Sequence, residues 1–245
     1  MLFSDGIILG IDDLREHDNF VLDVASTEAI ELNSKLSVAQ REIGYELTSF
    51  LRTRCPGTDL GNVVVTGQLR DLLVIHTLSA IYRDAYNLHL NDRYLGRWRE
   101  FTKASERGLL RLLHNGVGMA AVPVPQAEKP EVVASGQGGL IQGTYSVQVA
   151  WQHVTGNIGE KSTSVATDLP TGGALTIDPG VGPSNTFGWH VFLGFQDGEP
   201  KRQNEAALPV GISWTQAADL RFDLAGPDAT GPDYYVRNSG QIARG

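Results

Sequence analysis

One cysteine, Cys55, two methionines and no apolar run of bilayer-spanning length are the first absences in this sequence. A lone cysteine cannot form an intrachain disulfide or a cysteine-rich metal cluster, so folding is expected to be independent of oxidising conditions. A membrane-crossing helix needs about 20 mostly apolar residues, and none is expected here. Asp5, Asp12 and Asp13 stand where an export signal would carry basic residues followed by an apolar stretch, so no such signal is expected. Sequons of the N-x-Ser/Thr type and terminal lipidation signals are also missing.

The signatures of enzyme chemistry are equally sparse. No G-x-x-x-x-G-K-[ST] loop is present to cradle nucleotide phosphates. The histidines His17, His76, His89, His114, His153 and His190 form no HExxH pair, and their spacing defines no metal site. Ser135-Gly136-Gln137-Gly138 lacks the G-x-S-x-G elbow that exposes a nucleophilic serine, and sequence alone selects no Asp and His to go with it. Adjacent Asp12 and Asp13 point apart in an extended segment, and Glu42 with Glu46 on one helical face fixes no separation between an acid and a base. The expectation is a protein without enzymatic activity, cofactor or metal, and therefore one that assembles or binds.

What is present is an ordinary globular composition of 41% apolar and 20% charged residues over 245 positions, long enough for two domains with separate cores. The net charge of -8 argues against generic avidity for nucleic acid, though not against a protein that merely surrounds DNA.

Residues 1–24 contain small apolar patches broken by Gly, Asp and His and read as an extended arm with at most a short turn. Residues 25–122 read as an all-α domain of three principal helices. The first has Leu36, Ala39, Ile43, Leu47 and Phe50 on one face, is capped by Asn33 and stops at Cys55-Pro56-Gly57. Asn62-Val63-Val64-Val65 is short and extended. Thr66 then caps a second helix buried through Leu69, Leu72, Leu73, Leu78, Ile81 and Tyr82, with Arg70 and Arg83 facing water. Asn91 or Asp92 caps the third, whose apolar positions are Leu95, Trp98, Phe101, Leu109, Leu112 and Leu113. On that helix Arg99, Lys103, Arg107 and Arg111 recur every four residues as one basic ridge. Such a ridge reads as a solvated face, a surface for an acidic partner subunit, or a row of phosphate contacts.

Gly116-Val117-Gly118-Met119-Ala120-Ala121 matches the loose dinucleotide-binding pattern, which should follow a strand and open a helix. Here it closes one. Gly116 is expected to take a left-handed C-cap conformation, and Gly118, Pro123 and Pro125 to let the chain leave and stop it from coiling again. Residues 123–139 read as a linker and 140–245 as an all-β domain. In the latter, 145–152, 163–169, 174–177, 189–195 and 210–214 carry strand-like patterns, Gly156 and Gly159 supply a bend, and Asp197-Gly198 marks a turn. Trp151, Trp189 and Trp214 are expected in its core, with sugar stacking as the alternative. A final strand or packed strap is expected near Tyr234, Tyr235 and Val236.

Residues 24–51, VASTEAIELNSKLSVAQREIGYELTSFL, and 78–105, LSAIYRDAYNLHLNDRYLGRWREFTKAS, resemble head-to-tail connector (adaptor) proteins of tailed bacteriophages, and the resemblance runs over roughly residues 10–125. It implies a virion protein at the head-to-tail interface, assembled in the host cytoplasm. By that analogy twelve copies form a ring beneath the portal protein, extend the channel through which DNA passes, and contact a downstream neck or tail protein, with no membrane partner. The interface residues are then Trp98, Arg99, Phe101, Lys103, Arg107 and Arg111. The second half resembles an immunoglobulin-like or fibronectin type III-like sandwich, giving an α+β protein of two domains. An accessory neck or tail protein that binds carbohydrate or the host surface is the alternative.

Overall fold

The computed structural model describes residues 1–216, 218–224 and 229–243, with the side chains of His89 and of residues 240–243 outside that description. Parts of the expected C-terminal strap, at 225–228 and 244–245, therefore lie outside the described residues. The chain divides into a helical unit, Phe3–Ala121 with Pro232–Gly245, and a β unit, Met1–Leu2 with Val122–Gly231. The layout is α+β in two parts, with helices in the first half and antiparallel sheets in the second.

The helical unit contains α1 (Ile11–His17), α2 (Val21–Thr27), α3 (Leu32–Arg54), α4 (Gly67–His89) and α5 (Leu95–Asn115). Helix α4 is the hub against which the other four pack. Its Leu69, Leu72, Leu73, Val74, Leu78, Ile81 and Ala85 are buried on several sides, as a central helix requires. Helix α3 buries Leu36, Ala39, Ile43, Leu47 and Phe50, the face expected from their spacing.

Residues 1–24 differ from the expected arm: they hold α1 and most of α2, and Leu14, Val21 and Val24 are buried. The short helices are held by local polar contacts that hydrophobic periodicity does not reveal. The Asp13 carboxylate accepts from the Gly10 amide at 2.6 Å and from the Arg70 guanidinium at 2.9 Å, while Asp18 accepts from the Phe20 amide at 3.0 Å. Arg70 is thus paired across to α1 rather than simply solvated.

The caps divide in the same way. Thr66 does cap α4, its hydroxyl accepting from the Leu69 amide at 3.4 Å. The cap of α3 is Glu31 rather than Asn33; its carboxylate accepts from the amides of Asn33 and Ser34. Neither Asn91 nor Asp92 is the N-cap of α5: a turn over 91–94, with Asn91 accepting from the Arg93 amide at 3.2 Å, delivers Tyr94 to that position.

Helix α5 ends at Gly116, whose N–H bonds the Leu112 carbonyl at 2.8 Å. Its φ of 119° is positive, but ψ is 141°, so the residue is in an extended, positive-φ conformation open essentially to glycine instead of the expected left-handed helical one. The chain consequently leaves as a strand, β1 (Val117–Met119), which pairs antiparallel with β10 (Tyr234–Arg237), itself paired with β11 (Gly240–Ala243). The expected terminal strand is present, but it belongs to the helical unit and not to the β unit, because its partner is the exit strand of α5.

The β unit has one sheet ordered β2 (Glu131–Leu140), β5 (Gly173–Asp178), β9 (Trp214–Gln216) and another ordered β4 (Val165–Leu169), β3 (Gly143–Gln152), β6 (Gly188–Phe195), β7 (Lys201–Arg202), with β8 (Leu208–Pro209) also on β6. Both sheets contribute to one apolar cluster that includes Val147, Val149, Leu175, Ile177, Trp189 and Val191. The stretch expected as a linker, 123–139, contains most of β2, and Val124 and Ala127 are buried in that cluster. Its glycines disguised an edge strand that satisfies its backbone on β5. The strand expected over 210–214 is instead a turn, with Gly211 at φ 78°, and regular pairing begins only at Trp214.

Candidate functional site

Helix α5 presents two opposed faces. Inward, Trp98 stacks on Tyr86 at 5.4 Å and Phe101 on Tyr82 at 5.6 Å, and Ser105 and Leu112 are buried. Outward, the 100° step per residue of an α-helix carries Arg99, Lys103, Arg107 and Arg111 to the side opposite Ser105, and all four are exposed. Among the described residues no carboxylate pairs with any of them; Arg107 Nε donates only to the Lys103 carbonyl, at 3.1 Å. Leu110 sits beside them, 67% exposed.

The six residues proposed for a partner surface therefore separate. Trp98 and Phe101 pack inside their own chain and position the helix, whereas Arg99, Lys103, Arg107 and Arg111 remain available. Along roughly 18 Å of helix these four cations lie within about a Debye length of their neighbours, so they repel one another and attract any anionic surface.

Buried hydrogen bonds fix the helix that carries the ridge. Tyr82 on α4 donates to Asp18 at 2.6 Å, and Tyr94, just before α5, donates to Glu28 at 2.8 Å. Burial, reinforced by these carboxylates, raises both phenol pKa values, which keeps the hydroxyls protonated as donors. The Arg93 guanidinium lies 4.6 Å from the centre of the Tyr94 ring, adding a cation–π contact.

His76 joins three helices, with Nδ1 2.9 Å from Ser105 Oγ and Nε2 2.8 Å from Glu42 Oε2. A serine, histidine and carboxylate in series have the composition of a hydrolytic relay, which the sequence alone did not bring together. Ser105, however, is buried in the middle of α5, where the surrounding amides belong to the helical ladder, so the contact ties α3, α4 and α5.

A second surface lies along α3, where residues 3–7 run beside it and enclose an open groove of about 910 Å³. Gln40 holds that segment by donating to the Gly6 carbonyl at 2.7 Å and accepting from the Ile8 amide at 3.2 Å. Phe3 and Leu60 come close to Gly44 in its floor, while Ile7 and Tyr45 are exposed at its rim near Arg41 and Arg52. The groove was not legible in the sequence, because its walls lie more than thirty positions apart and are joined by tertiary contacts, the Gln40 amide on Gly6 and Phe3 against Gly44.

The helix-stop residues have distinct roles. At Gly116 a Cβ would come within 2.8 Å of Tyr235 Cβ, and at Gly118 within 2.7 Å of Pro232 Cγ, so both glycines are required by the close approach of the returning chain. Pro123 accepts through its carbonyl from Asn185 Nδ2 at 2.7 Å, and Pro125 follows the buried Val124; the two prolines belong to a packed segment of the β unit.

In the β unit, Trp151 and Trp189 are 2% and 0% exposed, which leaves neither indole open to a sugar ring, and Trp214 is partly buried against the same core. His190 is also buried, between Gln152 at 2.9 Å and Asn204 at 3.1 Å. Burial, with Arg202 nearby, pushes its pKa down to about 4, so the ring is neutral at pH 7.

Among the described residues no group of three or more His, Cys, Asp or Glu side chains is placed to hold a metal ion, and no helix is long and apolar enough to cross a membrane. No family model matches the sequence, and no curated protein matches it significantly.

Proposed function

We propose that this chain is an assembly protein whose helical unit makes its principal contacts through the outer face of α5. The particular assembly we propose is the head-to-tail connector of a tailed bacteriophage, a virion protein that forms a ring below the portal and continues the DNA channel. The observation that carries the assembly reading is the ridge of Arg99, Lys103, Arg107 and Arg111 with Leu110: four cations without an ion-pair partner among the described residues, on a helix anchored internally by Trp98, Phe101 and two buried tyrosine–carboxylate bonds. The phage assignment rests on the resemblance of residues 10–125, which also supplies the twelvefold expectation.

In this reading the β unit is an immunoglobulin-like sandwich added to the connector. Its strand order supports that class: β2 lies beside β5 in one sheet, while β3 lies between β4 and β6, and β6 is followed by β7, in the other. The chain crosses between sheets from β2 to β3, from β4 to β5 and from β5 to β6, and stays within one sheet from β6 to β7, as it does at B to C, on entering E, at E to F and at F to G of immunoglobulin domains. The module serves a neighbouring neck or tail protein or the host surface; burial of Trp151 and Trp189 disfavours a glycan site built on those rings.

Electron microscopy of the purified chain, alone and with portal particles, tests the reading. Rings, or portal-dependent rings, are expected. A monomer with no affinity for portal particles overturns it.

A further inference from the structure

The first thirty-one residues carry eight carboxylates and, of lysine and arginine, only Arg15. Several of these acids have internal duties: Asp13 holds Arg70, Asp18 and Glu28 accept from tyrosines, and Glu31 caps α3. Glu16 and Asp23 do not. Both are exposed and without an ion-pair partner among the described residues, and between them Phe20 is 64% and Leu22 37% exposed. This stretch of eight residues across α1, α2 and the turn between them, an acidic and apolar shoulder, is the chemical complement of the α5 ridge, which is basic and includes the exposed Leu110. Both patches belong to the helical unit, on elements that pack against α4, and among the described residues no ion pair joins them.

We propose that the α5 ridge of one subunit seats on the Glu16–Asp23 shoulder of a second copy. The cations face the two carboxylates, and Phe20 and Leu110 supply apolar contact area, so that charge fixes the orientation and burial adds affinity. Because the two patches differ, the contact is head-to-tail, the kind that closes into a ring when the rotation per subunit permits. This inference rests on the assembly reading above and names the partner of its surface.

Sedimentation of the full-length chain at low and high salt tests it. Wild type is expected to associate, less so as salt screens the contact. Arg107→Glu with Arg111→Glu, and separately Glu16→Lys with Asp23→Lys, are each expected to weaken association by at least about tenfold, since like charges then face each other. Mixing the two variants is expected to restore it, because every reversed patch then meets an opposite one in an alternating arrangement; this recovery also shows that both variants are folded. A wild type that stays monomeric at all salts, variants that associate as well as wild type, or a mixture that does not recover overturns the contact. Ridge variants that lose duplex DNA retention while assembling normally overturn it too, and assign the ridge to phosphates. Portal binding read in parallel separates the two readings. Restored oligomers that ignore portal particles leave the contact standing and sink the connector reading, whereas portal binding by variants that assemble normally does the reverse.

Discussion

Tyr82 and Asn204 are both polar, both buried, and both central to their units, yet they bond to different kinds of partner. Tyr82 reaches the side chain of Asp18, and its neighbours Tyr94 and His76 likewise reach Glu28, Glu42 and Ser105. Asn204 also touches one side chain, His190 at 3.1 Å, but most of its bonds go to backbone: it accepts from the Val191 amide at 2.9 Å and donates to the Ala206 carbonyl at 2.7 Å. Gln203 does the same for the Arg221 amide and carbonyl, and Ser162 for the Val149 amide. An α-helix satisfies its own main chain, so polar side chains between helices are left to tie one helix to another. Short, bent strands leave amides and carbonyls that only side chains can reach, and burial makes an unmet group expensive.

The largest test of this contrast is Trp189→Ala. The indole is fully buried in the cluster shared by both sheets, and its loss is expected to destabilise the β unit by roughly 3–5 kcal/mol, read by denaturant unfolding. A change below about 1 kcal/mol would mean that the core does not depend on it. Next come the polar residues. Asn204→Leu strands several backbone groups at once and is expected to cost about 2–4 kcal/mol. Tyr82→Phe removes one bond to a carboxylate and should cost about 1–3 kcal/mol, with coupling to Asp18→Asn in a double-mutant cycle. Equal costs and no coupling would erase the distinction between the units.

Acid sharpens it further. His190 binds its proton in the folded state only near pH 4, whereas an unfolded chain binds it near the ordinary histidine value of 6.5. The unfolded state therefore takes up the proton first. Stability contributed by the neutral ring is complete above about pH 6.5 and declines as pH falls towards 4. His190→Gln is expected to flatten that decline in unfolding measured between those limits. The smallest effect concerns strained backbones in both units: Ala29 at φ 51° and Leu90 at φ 48° in the helical unit, of which Leu90 is the larger side chain, and Gln196 at φ 53° in the β unit; the test compares Leu90 with Gln196. Replacing either by glycine relieves a left-handed side chain at the cost of chain entropy, for a net gain of up to about 1 kcal/mol in thermal unfolding.

The elements most legible in the sequence were those whose burial repeats with a single period. Leu36 to Phe50 and Leu69 to Tyr82 marked helices, and 145–152 and 189–195 marked the two central strands of their sheet. What was not legible depended on contacts distant in the chain. Helices α1 and α2 are held by Asp13 to Arg70 and Asp18 to Tyr82, β2 shows its strand character only beside β5, and β10 pairs with a strand more than a hundred residues earlier. The basic ridge was readable as a row, because four-residue spacing is a local property. Trp98 and Phe101 were readable as apolar positions of the same helix, but not the rings they stack on, since Tyr86 and Tyr82 belong to another helix.

The pairing of β1 with β10 also bears on how the helical unit is completed. Met119 stands opposite Tyr234, Asp233 N donates to the Met119 carbonyl at 2.8 Å, and the Asp233 carboxylate accepts from the Ala121 amide at 2.8 Å. The helical unit thus opens and closes at a single antiparallel ladder, and the hundred-odd residues between are topologically one long hairpin loop. Chain from both sides of the β unit is therefore needed to complete the helical unit, and a truncation after Ala121 would leave β1 without β10, its antiparallel partner.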